Sequence, residues 1–289
     1  MKEVMNMFQA GLVLEGGGFK GVYTSGVLDF FLDKGIMFSS CYGVSAGACS
    51  LCSFLSGQRG RAYHVTVDYL EDKNYCSLYS LIKTGDLFGA DMCYRKIPDE
   101  LYPYDYETYE KYQGTFYSVV TNIESGQPEY IPVKDMKNEI DAVRASASLP
   151  LVSRNVSFQG KLYLDGGISD AIPLRQSIKD GNRKNVVIMT KEVGYRRKPS
   201  SMTSLIKLRY RKYPKVYELM KNRHTVYNET LDFIEEQVKK GSTFLIQPRK
   251  ASEVGRIEKD RVKLKALYEE GYQEAKECYE DLMKFLEDE

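Results

Sequence analysis

A serine between two glycines is the first feature of this sequence that could do chemistry. Gly43-Val44-Ser45-Ala46-Gly47 matches G-x-S-x-G, the turn on which hydrolases place a nucleophilic serine between a strand and a helix. The sequence predicts a strand over residues 37–44 and a helix of small and apolar residues over 46–55. The flanking glycines permit the sharp bend, and the helix N-terminus favours negative charge. Ser45 is therefore a candidate nucleophile, and the alternative is a loop serine between two glycines.

A glycine-rich loop, GGGFKG at residues 16–21, follows a predicted strand at residues 10–14. It matches G-x-G-x-x-G, but a dinucleotide site also needs an acidic residue at the end of the second strand, where this chain has Gly43-Val44-Ser45. It also lacks the Gly-Lys-Ser/Thr ending of a phosphate-binding P-loop. A third interpretation is an oxyanion hole, in which one backbone N–H donor is worth roughly 3–4 kcal/mol of barrier. A tight strand-to-helix turn without a ligand remains the alternative.

A base for the serine is not supplied by histidine in any obvious way. His64 follows Ser45 by 19 residues and His224 lies in a basic stretch, so both are expected to be surface or packing residues. Asp165 instead ends a predicted strand in the segment KLYLDGG, beside two glycines. A carboxylate with a pKa of about 3.9 is a weak base, yet burial and tight geometry let it accept a hydroxyl proton. The alternative is a turn aspartate, because Asp-Gly is a common turn dipeptide.

The elements that must position these residues begin with strand, helix and strand within about 30 residues, a βαβ unit that implies a parallel sheet. The helix between the two strands is predicted over residues 20–33. Further strands are predicted at 116–123, 129–133, 185–190 and 243–246, with a hairpin at 155–158 and 161–164 and a helix at 138–146. Residues 60–115 are expected to form helices and loops on the flank of the sheet. Residues 257–286 repeat apolar positions every three to four residues, which predicts one amphipathic helix.

The three motifs together resemble those of the patatin-like phospholipases, a family of serine lipid acyl hydrolases. Residues 16–21 are similar to the family's G-G-G-x-R/K-G loop, residues 43–47 to its nucleophile motif, and Asp165-Gly166-Gly167 to its D-G-A/G motif. The block ASASLP at residues 145–150 resembles A-S-x-A-x-P, and residues 170–173 continue in the same way. The resemblance covers residues 11 to about 174.

This resemblance implies a Ser–Asp dyad in which Ser45 is the nucleophile and Asp165 the general base, with acyl transfer to Ser45 followed by hydrolysis. It implies a lipid or acyl-ester substrate, no metal and no cofactor, and a three-layer α/β/α sandwich around a mainly parallel sheet. Glu15 departs from the family pattern, with a small expected effect. The implied oxyanion hole is formed by Gly16, Gly17 and Gly18. The residues that support the motifs are Lys20, Gly21, Gly43, Gly47, Gly166 and Gly167.

Composition limits the other function classes. The 289 residues carry 41 Lys+Arg and 40 Asp+Glu, a net charge of +1, which gives no global case for nucleic acid binding. No apolar run approaches 18 residues, and the N-terminus lacks the pattern of a signal peptide, so a cytoplasmic protein is expected. Cys49 and Cys52 form a lone C-x-x-C, for which a zinc or redox site is the alternative to buried free thiols.

The composition changes after about residue 195, which predicts a catalytic domain at 1–195 and a basic, helical C-terminal extension at 196–289 packed on it. Residues 196–223 hold ten basic residues and one acidic residue. They could contact anionic lipid headgroups as a peripheral membrane surface, or form an ordinary solvated or ion-paired surface. A non-catalytic binding or scaffold protein on the same fold, and a nucleotide-binding enzyme, remain alternatives to the hydrolase.

Overall fold

An eight-stranded sheet runs through the protein, whose computed structural model describes residues 6–288. Its strand order is β5-β6-β3-β2-β1-β7-β8, with β4 on the free edge of β3. The five strands from β3 to β8 in this order are parallel, whereas β4 and β6 run antiparallel to β3, and β5 to β6. The strands are β1 Asn6–Leu14, β2 Ile36–Val44, β3 Thr115–Asn122, β4 Pro128–Pro132, β5 Val156–Phe158, β6 Lys161–Asp165, β7 Asn185–Ile188 and β8 Thr243–Ile246.

Helices cover both faces of the sheet. Several begin at a side chain that caps the first turn, as where Asp135 accepts a hydrogen bond from Asn138 N–H. A π-helical segment at Met92–Leu101 and 3₁₀ turns at Gly18–Gly21 and Gly166–Ile168 complete the helical structure of the described residues. The helices are α1 Val22–Asp33, α2 Ala46–Leu55, α3 Arg61–Val67, α4 Leu78–Thr84, α5 Tyr106–Glu110, α6 Met136–Ser146, α7 Leu174–Lys179, α8 Thr203–Arg209, α9 Pro214–Lys239, α10 Arg261–Glu277 and α11 Tyr279–Glu287.

Side-chain alternation along the central strands divides the core into two layers. In β1, Leu12 and Leu14 join the cluster under α1, α2, α6 and α10, while Val13 joins the cluster under α7 and α9. In β2, Cys41 and Tyr42 divide in the same way. Because successive strand residues point to opposite faces, uninterrupted apolar strands require helices on both sides. The expected α/β/α sandwich with a mainly parallel sheet is confirmed.

Two helical regions differ from the sequence-based expectation. Within the helical extension expected at 196–289, the 26-residue α9 is not predicted as a separate helix, because its buried residues Val216, Tyr227, Leu231 and Ile234 form only a weak apolar stripe. The predicted helix over 257–286 is instead two helices, α10 and α11, divided at Cys278, whose φ of −96° and ψ of 9° leave the helical region. No glycine or proline marks this break in the sequence. None of the helices within residues 6–288 is long and apolar enough to span a bilayer.

Candidate active site

The ends of two strands meet at the candidate site. A strand has two edges, and β4 pairs with one edge of β3 along residues 117–121. The residues of β3 that pair with β2 and with β6 overlap this range, so β2 and β6 both pair with the opposite edge. There β2 ends with Val44 paired to Val119, and β6 ends with Asp165 paired to Val120. The two strands run toward each other, and consecutive residues of β3 therefore bring Ser45 and Asp165 together at one point of the sheet.

Ser45 occupies a strained turn between β2 and α2. Its φ of 54° and ψ of −121° are rare for a residue with a side chain and cost about 1–3 kcal/mol. The Ser45 N–H donates to the Ser146 hydroxyl (2.9 Å), which in turn donates to Val119 O (2.6 Å). Ser45 stands directly before the first residue of α2, whose positive end favours an anionic oxygen. The turn thus holds the largely buried Ser45 side chain in a fixed position at the end of β2.

Asp165 is held beside it as a buried carboxylate, with 1% of its surface exposed. Its N–H donates to Ser148 O (2.8 Å), and its Oδ1 accepts from Gly167 N–H (2.8 Å). Burial raises the pKa of Asp165, against the opposing effects of Arg223, the Ser45 hydroxyl and the Gly167 N–H. The Ser45 hydroxyl is therefore near the Asp165 carboxylate but forms no well-aligned hydrogen bond with it. Asp165 Oδ2 has no hydrogen-bond partner within residues 6–288. This oxygen is available to accept a proton.

The glycine loop lies against the serine. A Cβ on Gly16 would come within 2.7 Å of Ser45 Cβ, so only glycine permits this approach. Gly18 has a φ of +59°, and a Cβ there would lie 2.5 Å from Arg256 O. Phe19 N–H donates to Arg256 O (3.2 Å), whereas the N–H groups of Gly17 and Gly18 donate no hydrogen bond within the described chain. Two unpaired donors beside a serine can bind an oxyanion.

The other residues that the sequence assigns to the motifs pack closely around these three groups. Lys20 lies in the 3₁₀ turn, half-buried, and its charge contributes to the lowered pKa of Lys191. Four glycines contact neighbouring elements so tightly that a Cβ would approach another atom closer than 3.0 Å; they are Gly21 against Ala46, Gly43 against Ala48, Gly47 against Leu14, and Gly166 against Val119. The ASASLP block has a structural role here. At the end of α6, Ser146 accepts a hydrogen bond from Ser45 N–H, and Ser148 accepts one from Asp165 N–H.

Glu15 also has a larger role than its sequence position suggests. Its Oε2 accepts from the Thr190 N–H (2.8 Å), its Oε1 from the Tyr227 hydroxyl (2.6 Å), and the Thr190 hydroxyl lies 2.9 Å from Gly16 O. Glu15 therefore ties the glycine loop to the end of β7 and to α9. The small effect expected for this departure does not fit these contacts. No local pattern in the sequence indicates Thr190, which lies 175 residues from Glu15.

Two cavities meet at Ser45. An apolar pocket of about 180 Å³ lies beneath it, with Phe19, Phe88, Tyr94, Ile97 and Val143 among its walls. A wider cleft of about 580 Å³ contains Ser45, Asp165 and the glycine loop together with several Lys and Arg residues. The serine hydroxyl thus stands between an apolar space and a cationic one.

The histidines and cysteines differ in their relation to this site. His64 on α3 is exposed, and its Nδ1 lies 3.1 Å from Asp68 Oδ2. His224, expected at the surface or in packing, lines the cleft, and its buried Nδ1 has no partner among the described residues. Cys49 and Cys52 are free thiols, and burial raises the pKa of Cys49 to about 11. Within residues 6–288, no three His, Cys, Asp or Glu side chains are grouped to hold a metal ion.

Two sequence models and several curated proteins are similar to this chain. Residues 12–178 match the sequence model of the patatin-like phospholipases, and residues 213–287 match a domain of unknown function, DUF6363. The uncharacterized protein YjjU of Escherichia coli (strain K12) is 31% identical over 253 residues, which are 84% of this chain and 70% of the relative. The probable lipid hydrolase 463L of Invertebrate iridescent virus 6 is 25% identical over 191 residues, 60% of this chain and 65% of the relative.

A solved structure was also found, that of VipD from Legionella pneumophila. It has a TM-score of 0.47 and 13% sequence identity, and the match covers 96% of this chain and 66% of VipD. A likeness of this extent supports no functional conclusion.

Proposed function

The chain belongs to the patatin-like phospholipase family, and we propose that it hydrolyses acyl esters of lipids through a catalytic dyad of Ser45 and Asp165. Family membership supports a lipid acyl hydrolase in general terms. The observation that carries the finer proposal is the meeting of β2 and β6 on β3, which joins a strained serine to a buried carboxylate with a free oxygen.

The proposed reaction has two acyl-transfer steps. The Ser45 hydroxyl attacks the ester carbonyl while Asp165 Oδ2 takes its proton, and the N–H groups of Gly17 and Gly18 bind the oxyanion. Collapse of this intermediate breaks the ester bond, and Asp165 returns the proton to the leaving alcohol. A water molecule then attacks the acyl-enzyme while Asp165 accepts its proton. The bond between Ser45 Oγ and the acyl carbon breaks, Asp165 returns the proton to Oγ, and the acid is released.

The two cavities divide the substrate between them in this proposal. The apolar pocket beneath Ser45 takes the acyl chain, since its walls include Phe19, Phe88 and Ile97. The cleft on the other side takes the alcohol part of the ester. This division supports a lipid ester better than a nucleotide, because an apolar pocket directly at the nucleophile has no use in phosphate binding.

Covalent labelling with a fluorophosphonate tests the proposal directly. The probe reacts with an activated serine hydroxyl, which displaces fluoride, so we expect the adduct on Ser45 in the native chain and none after heat denaturation. Tandem mass spectra should show Ser50 and Ser53 of the adjoining helix unmodified, as an internal control. If native protein stays unlabelled even with lipid vesicles present, the hydrolase proposal is wrong and a non-catalytic binding protein is favoured.

We also propose that α8 and the residues after it contact the membrane from which substrate is taken. Leu205 and Leu208 on α8 are 50% and 69% exposed, while Met202 at the start of the helix lines the cleft. Exposed basic residues beside them, namely Lys207, Arg209, Arg211 and Lys212, suit an anionic lipid surface, at about 1 kcal/mol each. The mouth of the cleft would then open toward the bilayer.

Replacing Leu205 and Leu208 together by aspartate is expected to weaken binding to anionic phospholipid vesicles by about 10-fold or more, because two leucines lose apolar burial and the new charges are repelled. Vesicle co-sedimentation measures this. Val262→Asp on α10, where the valine is 77% exposed, is the matched control and should bind as the wild type does. Equal binding by all three proteins would place the membrane contact elsewhere.

A further inference from the structure

The cleft at Ser45 holds an excess of positive charge. Lys191, Arg197, Arg223 and Arg256 line it, and we call them the cationic cluster. They come from the segment after β7, from α9 and from the loop before α10, so three separate parts of the chain converge here. Among the described residues that line the cleft, the carboxylates are Glu15 and Asp165.

Neither carboxylate neutralises the cluster through an ion pair. Both oxygens of Glu15 accept hydrogen bonds from Thr190 and Tyr227. Within residues 6–288, no member of the cluster forms an ion pair with a carboxylate. Arg196 next in sequence is the opposite case, because it pairs with Asp232 at 2.5 Å.

The cluster is fixed in place rather than free in solvent. The Arg197 guanidinium lies 4.2 Å from the centre of the Tyr227 ring, and its buried Nε has no acceptor in the described chain. Arg223 Nε donates to Gly167 O (2.5 Å), the residue whose N–H binds Asp165. Both guanidinium groups are thus preorganised beside the catalytic dyad, and one of them still lacks a hydrogen-bond acceptor.

The electrostatics of the cluster favour the binding of an anion. Burial and the neighbouring cations lower the pKa of Lys191 to about 8 and that of Arg223 to about 10. Like charges held together in a partly buried site cost free energy unless a counter-charge is bound. A phosphate fits best, because its oxygens match the forked donors of arginine and it brings up to two negative charges.

We propose that the cationic cluster binds the phosphate of an acylated glycerophosphate whose ester carbonyl lies at Ser45, an assignment that rests on the proposed hydrolase function. Glycerol carries an ester and a phosphate on one three-carbon unit, so both fit one cleft. A headgroup with an amine would place a further cation among four others. The preferred substrates are therefore anionic glycerophosphates without a headgroup amine.

The first test measures phosphate binding without catalysis. Isothermal titration of the full-length chain with glycerol 3-phosphate is expected to show binding that Arg197→Gln weakens by about 10- to 100-fold, the usual worth of a charged hydrogen bond. Arg249→Gln is the matched control, since Arg249 pairs with Glu277 outside the cleft and its loss changes the net charge equally. Absence of binding, or equal weakening in both variants, would overturn the inference. Inorganic phosphate in a parallel titration shows how much the glycerol part contributes.

The second test measures substrate choice. We expect kcat/KM for a 1-acylglycerol 3-phosphate to exceed that for the uncharged 1-acylglycerol of the same chain length, and the ratio to fall about 10- to 100-fold in Arg197→Gln and in Arg256→Gln. Hydrolysis of both esters without preference would overturn the inference and leave the proposed function standing. Phosphate binding without hydrolysis of any ester would overturn the proposed function and the substrate assignment with it.

Discussion

Replacing Ser45 by alanine is expected to lower ester hydrolysis by about 10⁴-fold or more, and replacing Asp165 by asparagine by about 10³- to 10⁴-fold. The first change removes the nucleophile. The second keeps the shape of the side chain, and its amide oxygen can still accept from Gly167 N–H, but it cannot take a proton. Because the two residues act in one step, the double variant should be no less active than Ser45→Ala alone. Steady-state hydrolysis of one acyl ester by the four proteins measures this.

The pH dependence of hydrolysis adds a second readout for Asp165. The carboxyl must be ionised to act as a base, and burial raises its pKa above the ordinary 3.8. Activity should therefore fall as the pH is lowered, with a midpoint above that ordinary value. Asp165→Asn should lose this acidic limb from its residual activity. A limb that persists unchanged in this variant would assign the titration to another group.

His224 provides the contrasting hypothesis for the base. It lines the same cleft, and its buried Nδ1 has no partner in the described part of the chain. If Asp165→Asn, shown to be folded by near-ultraviolet circular dichroism, keeps more than about a tenth of the activity while His224→Gln loses it, the Ser–Asp dyad is wrong. The proposed dyad requires the reverse order of effects.

The parts of the site that could be predicted from the sequence are those set by local geometry. Ser45 and Asp165 each lie at a strand end beside glycines, and such turns leave a short pattern in the chain. The loop at residues 16–21 is likewise recognisable by its glycines, which are needed because its backbone lies close to Ser45. Each pattern is local, so one sequence suffices to find it, and the order of the three motifs relates them to one family.

The parts that could not be predicted depend on contacts distant in sequence. Ser146 holds Ser45 across 101 residues, and Thr190 holds Glu15 across 175, and no local pattern indicates that the members of either pair are in contact. The basic stretch at 196–223 illustrates the same limit for charge. Arg196 lines the cleft but is ion-paired with Asp232, whereas Arg197 and Arg223 line it without such a pair, and composition cannot distinguish them. Whether 1–195 and 196–289 are separate units stays a prediction.

The helices α1 and α10, which are far apart in sequence, cross each other closely. Substitutions at this crossing are the second change for which we expect a large effect. α1 packs on α10 where a Cβ on Gly26 would collide with Tyr268 O, and a Cβ on Gly271 with Tyr23 O. The crossing is bordered by hydrogen bonds from the Tyr23 hydroxyl to Glu274 (2.7 Å) and from the Tyr268 hydroxyl to Asp29 (2.7 Å). Backbones can approach this closely only where both helices carry glycine.

Gly26→Ala and Gly271→Ala are each expected to lower the free energy of unfolding by about 1–3 kcal/mol, because an added methyl in a tight contact forces the helices apart. Alanine is the better helix former by roughly 0.5–1 kcal/mol, so a loss of stability must come from packing. At about 2–4 °C per kcal/mol, Tm should fall by several degrees. Lys276→Ala, at an exposed position of α10, is the control without a steric effect.

The same variants test whether the C-terminal helices stabilise the part of the chain that carries Ser45 and Asp165. α1 follows directly from the glycine loop, so helices forced apart at Gly26 should transmit their displacement toward the oxyanion donors. If α10 and α1 unfold as one unit, Gly271→Ala should give a single transition at lower temperature, and ester hydrolysis should be lost with it. Two separate transitions, with the hydrolase activity following the one that Gly271→Ala leaves unmoved, would show that α10 folds independently of the site.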